Sequence, residues 1–142
     1  MSAEGDPAVE CGVADVDVAV TWHDRGGSLT GSVTVRNISR HACRVTGKPG
    51  VIPLGDDGAP LDVQTVITLE LRRPDHVVLE PGEDAQAPIN WGGWNGPPAG
   101  DQAIVVWGRD RHRTQVTVTG SRQPHSRAEP TNISSSWFRI AR

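Results

Sequence analysis

Two cysteines, five histidines and five tryptophans carry most of the side-chain chemistry that this sequence offers. Cys11 and Cys43 are too far apart for a Cys-x-x-Cys redox motif, and two thiolates alone make no zinc site. An even cysteine count in a β-rich chain of this size is typical of a disulfide formed in an oxidising compartment. Bridging would close a loop of about 33 residues, for which loop-closure entropy gives roughly 3.7 kcal/mol. We therefore predict a Cys11–Cys43 disulfide; the alternative is two free thiols in a cytosolic protein.

The motifs that mark enzymes and metal proteins do not occur in the sequence. Neither HxH nor HExxH spacing connects the histidines, which fall in separate turns: His23, His41, His76, His112 and His125. Asp56, Asp57 and Asp84 lack the spacing of a calcium loop and are expected to be solvated turn carboxylates. There is no Gly-x-Ser-x-Gly nucleophile elbow and no phosphate-binding loop. The sequence therefore predicts no enzyme activity, no metal site and no cofactor, and a hydrolase is the weakest of the functional hypotheses.

The tryptophans are the best candidates for binding. Trp91 and Trp94 bracket two glycines in a loop, and exposed aromatic rings stack on sugars or on partner proteins. Trp91 continues an alternating apolar pattern and is expected in the core, whereas Trp94 is expected to be partly exposed beside Asn95. Trp94, Asn95 and Trp91 are thus the predicted binding residues. The other three tryptophans are expected in the core or, for the last, at one end of the fold: Trp22, Trp107 and Trp137.

Composition narrows the scaffold that must position these residues. The chain has 142 residues with 16 Gly and 11 Pro, and its mean hydropathy is -0.39. This length suits one domain, and 17 Val and 7 Ile against 6 Leu favour strands over helices. No apolar run approaches the roughly 18 residues of a membrane-spanning helix. Composition therefore predicts a β protein with many turns and no membrane span within this chain.

Charge is distributed unevenly along the sequence. The net charge is -3, but residues 109–142 hold seven Arg against Asp110 and Glu129. A basic stretch can indicate a nucleic-acid partner, yet these arginines are spread over 34 positions rather than clustered. We expect acidic and basic strands to lie side by side in one sheet, with no nucleic-acid partner.

Alternation with a period of two predicts the strands. In residues 14–22 every even position is apolar, so residues 16, 18, 20 and 22 are expected on a buried face and Asp15 and Asp17 on the polar face. Residues 28–36 and 85–91 alternate in the same way, and shorter candidate strands include 43–46, 66–71, 103–109 and 114–119. The whole pattern is typical of an immunoglobulin-like antiparallel β-sandwich of about eight or nine short strands.

The first ten residues show no such period. Residues 1–10 have neither the basic nor the apolar region of a signal peptide, and we expect a flexible leader. Residues 11–142 are then a single sandwich domain.

Three stretches together resemble a known family. They are Cys11 before the alternating strand, residues 37–51 with Cys43 and the turn Gly47-Lys48-Pro49-Gly50, and Leu79-Glu80-Pro81-Gly82 followed by Ile89 and Trp91. This combination resembles the actinobacterial domain-of-unknown-function family 4232, over roughly residues 11–142. Members of that family are mostly secreted proteins, lipoproteins or extracytoplasmic ends of membrane proteins. The resemblance implies an immunoglobulin-like sandwich, a cell-envelope setting and no catalytic residues; many members also have a second cysteine pair, which this chain lacks.

Two functions remain after these exclusions. The first is a non-enzymatic extracytoplasmic module, secreted or anchored through a segment outside this chain, that binds a protein or cell-envelope component. The second is a carbohydrate-binding module that uses the loop tryptophans Trp91 and Trp94. The fold alone does not separate them, because sandwiches of this kind serve many functions.

Overall fold

The secondary structure is almost entirely extended. A computed structural model describes residues 8–141, within which one short 3-10 turn, Val13–Asp15, accompanies the strands. The strands are β1 (Val9–Glu10), β2 (Val16–Arg25), β3 (Ser28–Asn37), β4 (Cys43–Thr46), β5 (Gly50–Gly55), β6 (Thr65–Ile67), β7 (His76–Leu79), β8 (Asp84–Trp91), β9 (Ala99–Trp107), β10 (His112–Gly120), β11 (Ile133–Ser135) and β12 (Arg139–Ile140). The predicted all-β class is confirmed. Four of these strands have only two or three residues, so the count exceeds the predicted eight or nine. No helix in the described range has the length and hydropathy needed to cross a bilayer.

The strands form two sheets in a sandwich-like, nearly closed arrangement. The larger sheet has the order β5-β9-β10-β2-β3-β8-β11-β6, with β12 also on β8, and the smaller has the order β1-β4-β7. The hydroxyl of Thr65 donates to the carbonyl oxygen of Val51 at 3.2 Å, so the outermost strands β6 and β5 meet. Three pairs, β1–β4, β2–β10 and β6–β11, are parallel. Each sheet therefore contains parallel as well as antiparallel pairs. The parallel pairs join segments that are distant in sequence, and no tight turn forces such segments to run antiparallel.

The strand β2 shows how alternation builds the core. Val16, Val20 and Trp22 are buried, Val18 on the same face is partly exposed, and Asp17 is exposed on the other face. The position of Asp15 differs from the predicted one, which was on the polar face of this strand. It lies in the 3-10 turn rather than on the strand, and its Oδ2 accepts the backbone N–H of Gly12 at 2.9 Å. A carboxylate that can accept this bond stabilises the turn that precedes β2.

The predicted leader ends earlier than residue 10. Val9 and Glu10 form β1 and pair with Cys43 and Arg44 of β4. The Oε2 atom of Glu10 accepts hydrogen bonds from Arg44 Nε and Thr46 Oγ1, both at 2.6 Å. These partners lie more than 30 residues away, so alternation within residues 1–10 could not indicate them. The rest of the predicted leader, residues 1–7, lies outside the described residues.

The predicted disulfide between Cys11 and Cys43 is present, and both cysteines are fully buried. It joins the segment before β2 to the first residue of β4 in the smaller sheet. The indole N–H of Trp107, at the end of β9, donates to the carbonyl oxygen of Cys11 at 3.2 Å. The bridge thus lies where the smaller sheet contacts the larger one.

Candidate binding surface

The predicted binding residues Trp91 and Trp94 lie together, but in the core. The ring centroids of Trp91 and Trp94 are 5.8 Å apart, and that of Trp22 is 6.0 Å from Trp91. The residue Trp94 is only 7% exposed, so the prediction of a partly exposed ring was wrong. The expected exposed face for stacking on a sugar is therefore missing, although Asn95 beside it is exposed.

Two features of the glycine-rich loop bury Trp94. The loop bends back on itself, so that the indole N–H of Trp94 donates to the carbonyl oxygen of Pro97 at 2.7 Å. The ring of Trp94 lies so close to Gly96 that it occupies the space a Cβ atom at position 96 would need. The backbone N–H of Trp94 also donates to the carbonyl oxygen of Ser126 at 2.9 Å, so a distant loop covers this region. Alternation stops at Trp91 and could not indicate any of these three contacts.

The remaining tryptophans divide between core and surface. Trp22 and Trp107 are buried, as predicted. Trp137, which is expected at one end of the fold, is partly exposed, and the neighbouring Phe138 is buried. The Nζ atom of Lys48 lies 4.7 Å from the centre of the Trp137 ring, a distance typical of a cation–π contact.

A different set of apolar side chains is exposed. Leu69 and Leu71 are each 94% exposed, and Ile67 at the end of β6 is 59% exposed. These three residues, which we call the apolar ridge, lie at alternate positions from the last residue of β6 onward. A contiguous group of large exposed apolar side chains marks an interaction site more often than isolated ones do.

The residues between those of the ridge accept hydrogen bonds that hold the segment in place. Lys48 donates to the carbonyl oxygens of Thr68 and Glu70, the latter at 3.0 Å, and the indole of Trp137 donates to the same Glu70 oxygen at 3.2 Å. Ser136 donates to the carboxylate of Glu70. Thr68 is thus half-buried, whereas Glu70 stays exposed although its carbonyl and carboxylate oxygens accept hydrogen bonds from the protein.

One edge of this segment is open. The backbone N–H of Thr68 donates to the carbonyl oxygen of Ser135 at 3.0 Å, which continues the pairing of β6 with β11. Across residues 8–141, the backbone N–H and C=O groups of Leu69 and Leu71 take part in no hydrogen bond. Successive residues of an extended strand direct these groups to opposite edges. The ridge residues therefore present both apolar side chains and unpaired backbone groups to solvent.

A cavity of about 320 Å³ begins at Ile67 and extends between the β4–β5 loop and the β9–β10 turn. Its charged lining residues are all basic: Lys48, Arg109 and Arg111. We call this the cationic cavity. At the other end of the ridge, Leu71 and Trp137 border a second depression of about 500 Å³.

Two acidic residues border this cavity: Glu10, which accepts a hydrogen bond from the lining residue Thr46, and Asp75, which pairs with Arg109. The carboxylate oxygens of Asp75 lie 3.3 Å from Nδ1 of His76 and 3.2 Å from Nη2 of Arg109. The pKa of Asp75 is lowered, chiefly by the hydrogen bond with His76 and further by Arg109. Burial of the carboxylate acts in the opposite direction. Because both partners are substantially exposed, the Asp75–Arg109 pair contributes little to stability.

Metal-ligating side chains do not converge in the described part of the chain. No group of three or more His, Cys, Asp or Glu residues lies close enough to hold a metal ion there. Of the predicted turn carboxylates, Asp84 lies 3.4 Å from Arg36 Nε, and Asp57 accepts the backbone N–H of Ala59 at 3.0 Å.

The sequence pattern did not identify the ridge. Residues 66–71 were expected to be a strand, and the structure ends that strand at Ile67. Alternation alone predicts that one face of such a segment is buried. The signal available in the sequence was the Arg72-Arg73-Pro74 run directly after Leu71, which is typical of an exposed strand end.

The comparisons with known proteins identify the family of this chain. Residues 11–140 match the family described as a domain of unknown function (DUF4232), and the chain belongs to that family. No curated protein matches the chain. Among solved structures, it is similar to the crystal structure of a β-glucosidase from Listeria innocua in complex with gluconolactone, with 19% sequence identity and a TM-score of 0.26. That likeness covers 73% of this chain and 15% of the other, and it is too low to support a conclusion about either fold or function.

Proposed function

We propose that this protein is a non-enzymatic, extracytoplasmic binding module that docks a partner protein of the cell envelope on the apolar ridge. The exposure of Leu69 and Leu71 carries the proposal. Burying one leucine side chain stabilises a complex by about 1.5–3 kcal/mol before the losses of association. Two adjacent leucines held outward by a hydrogen-bonded segment can therefore contribute substantially to binding.

The disulfide supports the location. Cytosolic thiols are kept reduced, whereas buried disulfides are common in exported proteins. Cys11 and Cys43 are fully buried and bonded, which suits a protein that folds outside the cytoplasm. The source organism provides the test: its native protein should be recovered in an envelope or secreted fraction with both cysteines resistant to alkylation before reduction. Recovery from the cytosol with two alkylatable thiols would contradict the location.

Site-specific photocrosslinking in living cells tests the docking surface. A photoreactive amino acid at position 69 should form an adduct with one envelope protein, identified by mass spectrometry, and Leu71→Ser should reduce its yield. The same amino acid at position 95 is the matched control, because Asn95 is exposed but lies in the loop after β8. Equal adducts from both positions, or none from position 69, would refute docking on the ridge.

A further inference from the structure

The charges beside the ridge indicate which kind of partner segment it binds. We propose that the ridge receives an extended acidic peptide strand whose carboxylate enters the cationic cavity. This inference rests on the proposed function and names the chemistry of the partner. The observation behind it is that Ile67 belongs to both features, lying on the ridge and lining the cavity.

The cationic cavity has a positive charge that the described residues neutralise only in part. Arg111 forms no salt bridge in residues 8–141, and Arg109 forms only the exposed contact with Asp75. Lys48 donates to neutral carbonyl oxygens, so its positive charge is not cancelled. On a chain with a net charge of -3, this basic site favours an acidic partner both in encounter and in orientation.

The open backbone edge favours a peptide over a membrane surface. Protruding leucines next to arginines could also insert into an anionic bilayer. The unpaired N–H and C=O groups of Leu69 and Leu71 would then enter a medium that offers no hydrogen-bond partners. A strand laid against this edge supplies those partners, as in recognition by β-strand addition.

The dimensions of the surface fit such a strand. From Ile67 to Leu71 the chain advances four residues, about 13 Å at roughly 3.3 Å per residue. Every second side chain of a paired strand would contact the ridge. A carboxylate at one end would reach the cationic cavity, and an apolar side chain at the other would reach the depression beside Trp137.

Selection from a phage-displayed library of random dodecapeptides tests the inference. The immobilised wild-type protein should enrich peptides in which apolar residues alternate and acidic residues are in excess. Arg109→Gln combined with Arg111→Gly should weaken the best synthetic peptide at least tenfold, and added salt should weaken it as well. Arg122→Gln combined with Arg127→Gln is the matched control, because it removes two charges of the same sign from exposed loop residues that do not line the cavity.

Each other outcome overturns the inference in a distinguishable way. Peptides that require Leu69 and Leu71 but show no acidic excess would refute the charge preference and leave the docking ridge intact. Failure of the wild-type protein to enrich more than the Leu69→Ser/Leu71→Ser variant would refute peptide binding at the ridge, and crosslinking at position 69 would then decide the proposed function separately. Ridge-dependent binding to phosphatidylglycerol vesicles without peptide binding would replace the peptide with a lipid surface. Circular dichroism and melting curves of each variant confirm that it is folded.

Discussion

At the scale of single residues, Trp94 shows how a loop rich in glycine can bury a large ring. The indole packs on Trp91, bonds to the carbonyl oxygen of Pro97 and fits against Gly96, which has no side chain to obstruct it. We expect Trp94→Ala to lower the free energy of unfolding by about 3–5 kcal/mol, because a buried aromatic leaves a cavity. Asn95→Ala should stay within about 0.5 kcal/mol. Urea denaturation measures both, and equal effects would contradict the packing.

The same ring gives an optical test. Iodide reaches only exposed indoles, and Trp94 is buried while Trp137 is partly exposed. Iodide quenching should therefore lose its main component in Trp137→Phe and remain almost unchanged in Trp94→Phe. A large loss of quenching in Trp94→Phe would show that this ring is accessible in solution.

The contacts of Asp75 lead to a prediction about how stability depends on pH. The pKa of Asp75 is lowered chiefly by the hydrogen bond with His76 and further by the hydrogen bond and charge of Arg109, so His76→Gln and Arg109→Gln should each raise this pKa toward its ordinary value. Because the folded-state pKa is the lower one, the stabilising effect is present at neutral pH and is lost as the pH falls through the folded-state pKa. Carboxyl NMR titration measures each pKa. An unchanged Asp75 pKa in His76→Gln would exclude the assigned contact.

Arg111 has a backbone conformation that most side chains avoid. Its φ of 53° places it in the left-handed region, and it is the one non-glycine residue with positive φ in the described chain. Relief of the left-handed penalty favours Arg111→Gly by about 1–2 kcal/mol, and the greater freedom of glycine when unfolded offsets part of that gain. We expect thermal unfolding of the variant to occur at the same or a slightly higher temperature. A clearly lower melting temperature would show that the guanidinium stabilises the fold, which would weaken its use as a probe of binding.

At the scale of elements, the hairpin of β2 and β3 follows directly from alternation. Val20 is fully buried and lies opposite Val33, whereas Asp17 is exposed opposite Arg36. Val20→Asp would bury an unpaired charge and should unfold the protein, while Asp17→Asn should cost less than about 1 kcal/mol. Melting temperatures distinguish the two variants, and similar values would refute this register.

The elements also show where prediction from sequence stops. Ile89 in β8 and Leu69 after β6 have the same alternating neighbours, yet Ile89 is buried and Leu69 is exposed. The difference arises from partners that are distant in sequence: β8 lies between β3 and β11, whereas Leu69 extends beyond the last residue paired with β11. Short strands such as β1 and β12 likewise depend on partners that local periodicity does not identify. Alternation thus predicted the centre of the larger sheet and the buried Trp91, but neither the ridge nor the cover over Trp94.

At the scale of the whole molecule, the disulfide stabilises the junction between the two sheets. The smaller sheet has strands of two to four residues, which are marginal without further support. The bridge fixes Cys11 to the start of β4, and the bond from Trp107 to the Cys11 carbonyl connects this region to β9. Loss of the bridge should therefore affect the smaller sheet more than the hairpin of β2 and β3.

We expect Cys11→Ala/Cys43→Ala to lower the free energy of unfolding by about 2–5 kcal/mol, because the unfolded chain gains the freedom of the opened loop. Hydrogen exchange measured by mass spectrometry should accelerate in β1, β4 and β7 while Val18 to Val35 stay protected. The wild-type protein in a reducing agent should reproduce this pattern, whereas the double variant should not respond to the same agent. These two controls distinguish loss of the disulfide bond from loss of the sulfur atoms. Uniform acceleration across both sheets would show that the two sheets unfold as one unit, and an unchanged stability would refute the role assigned to the bridge.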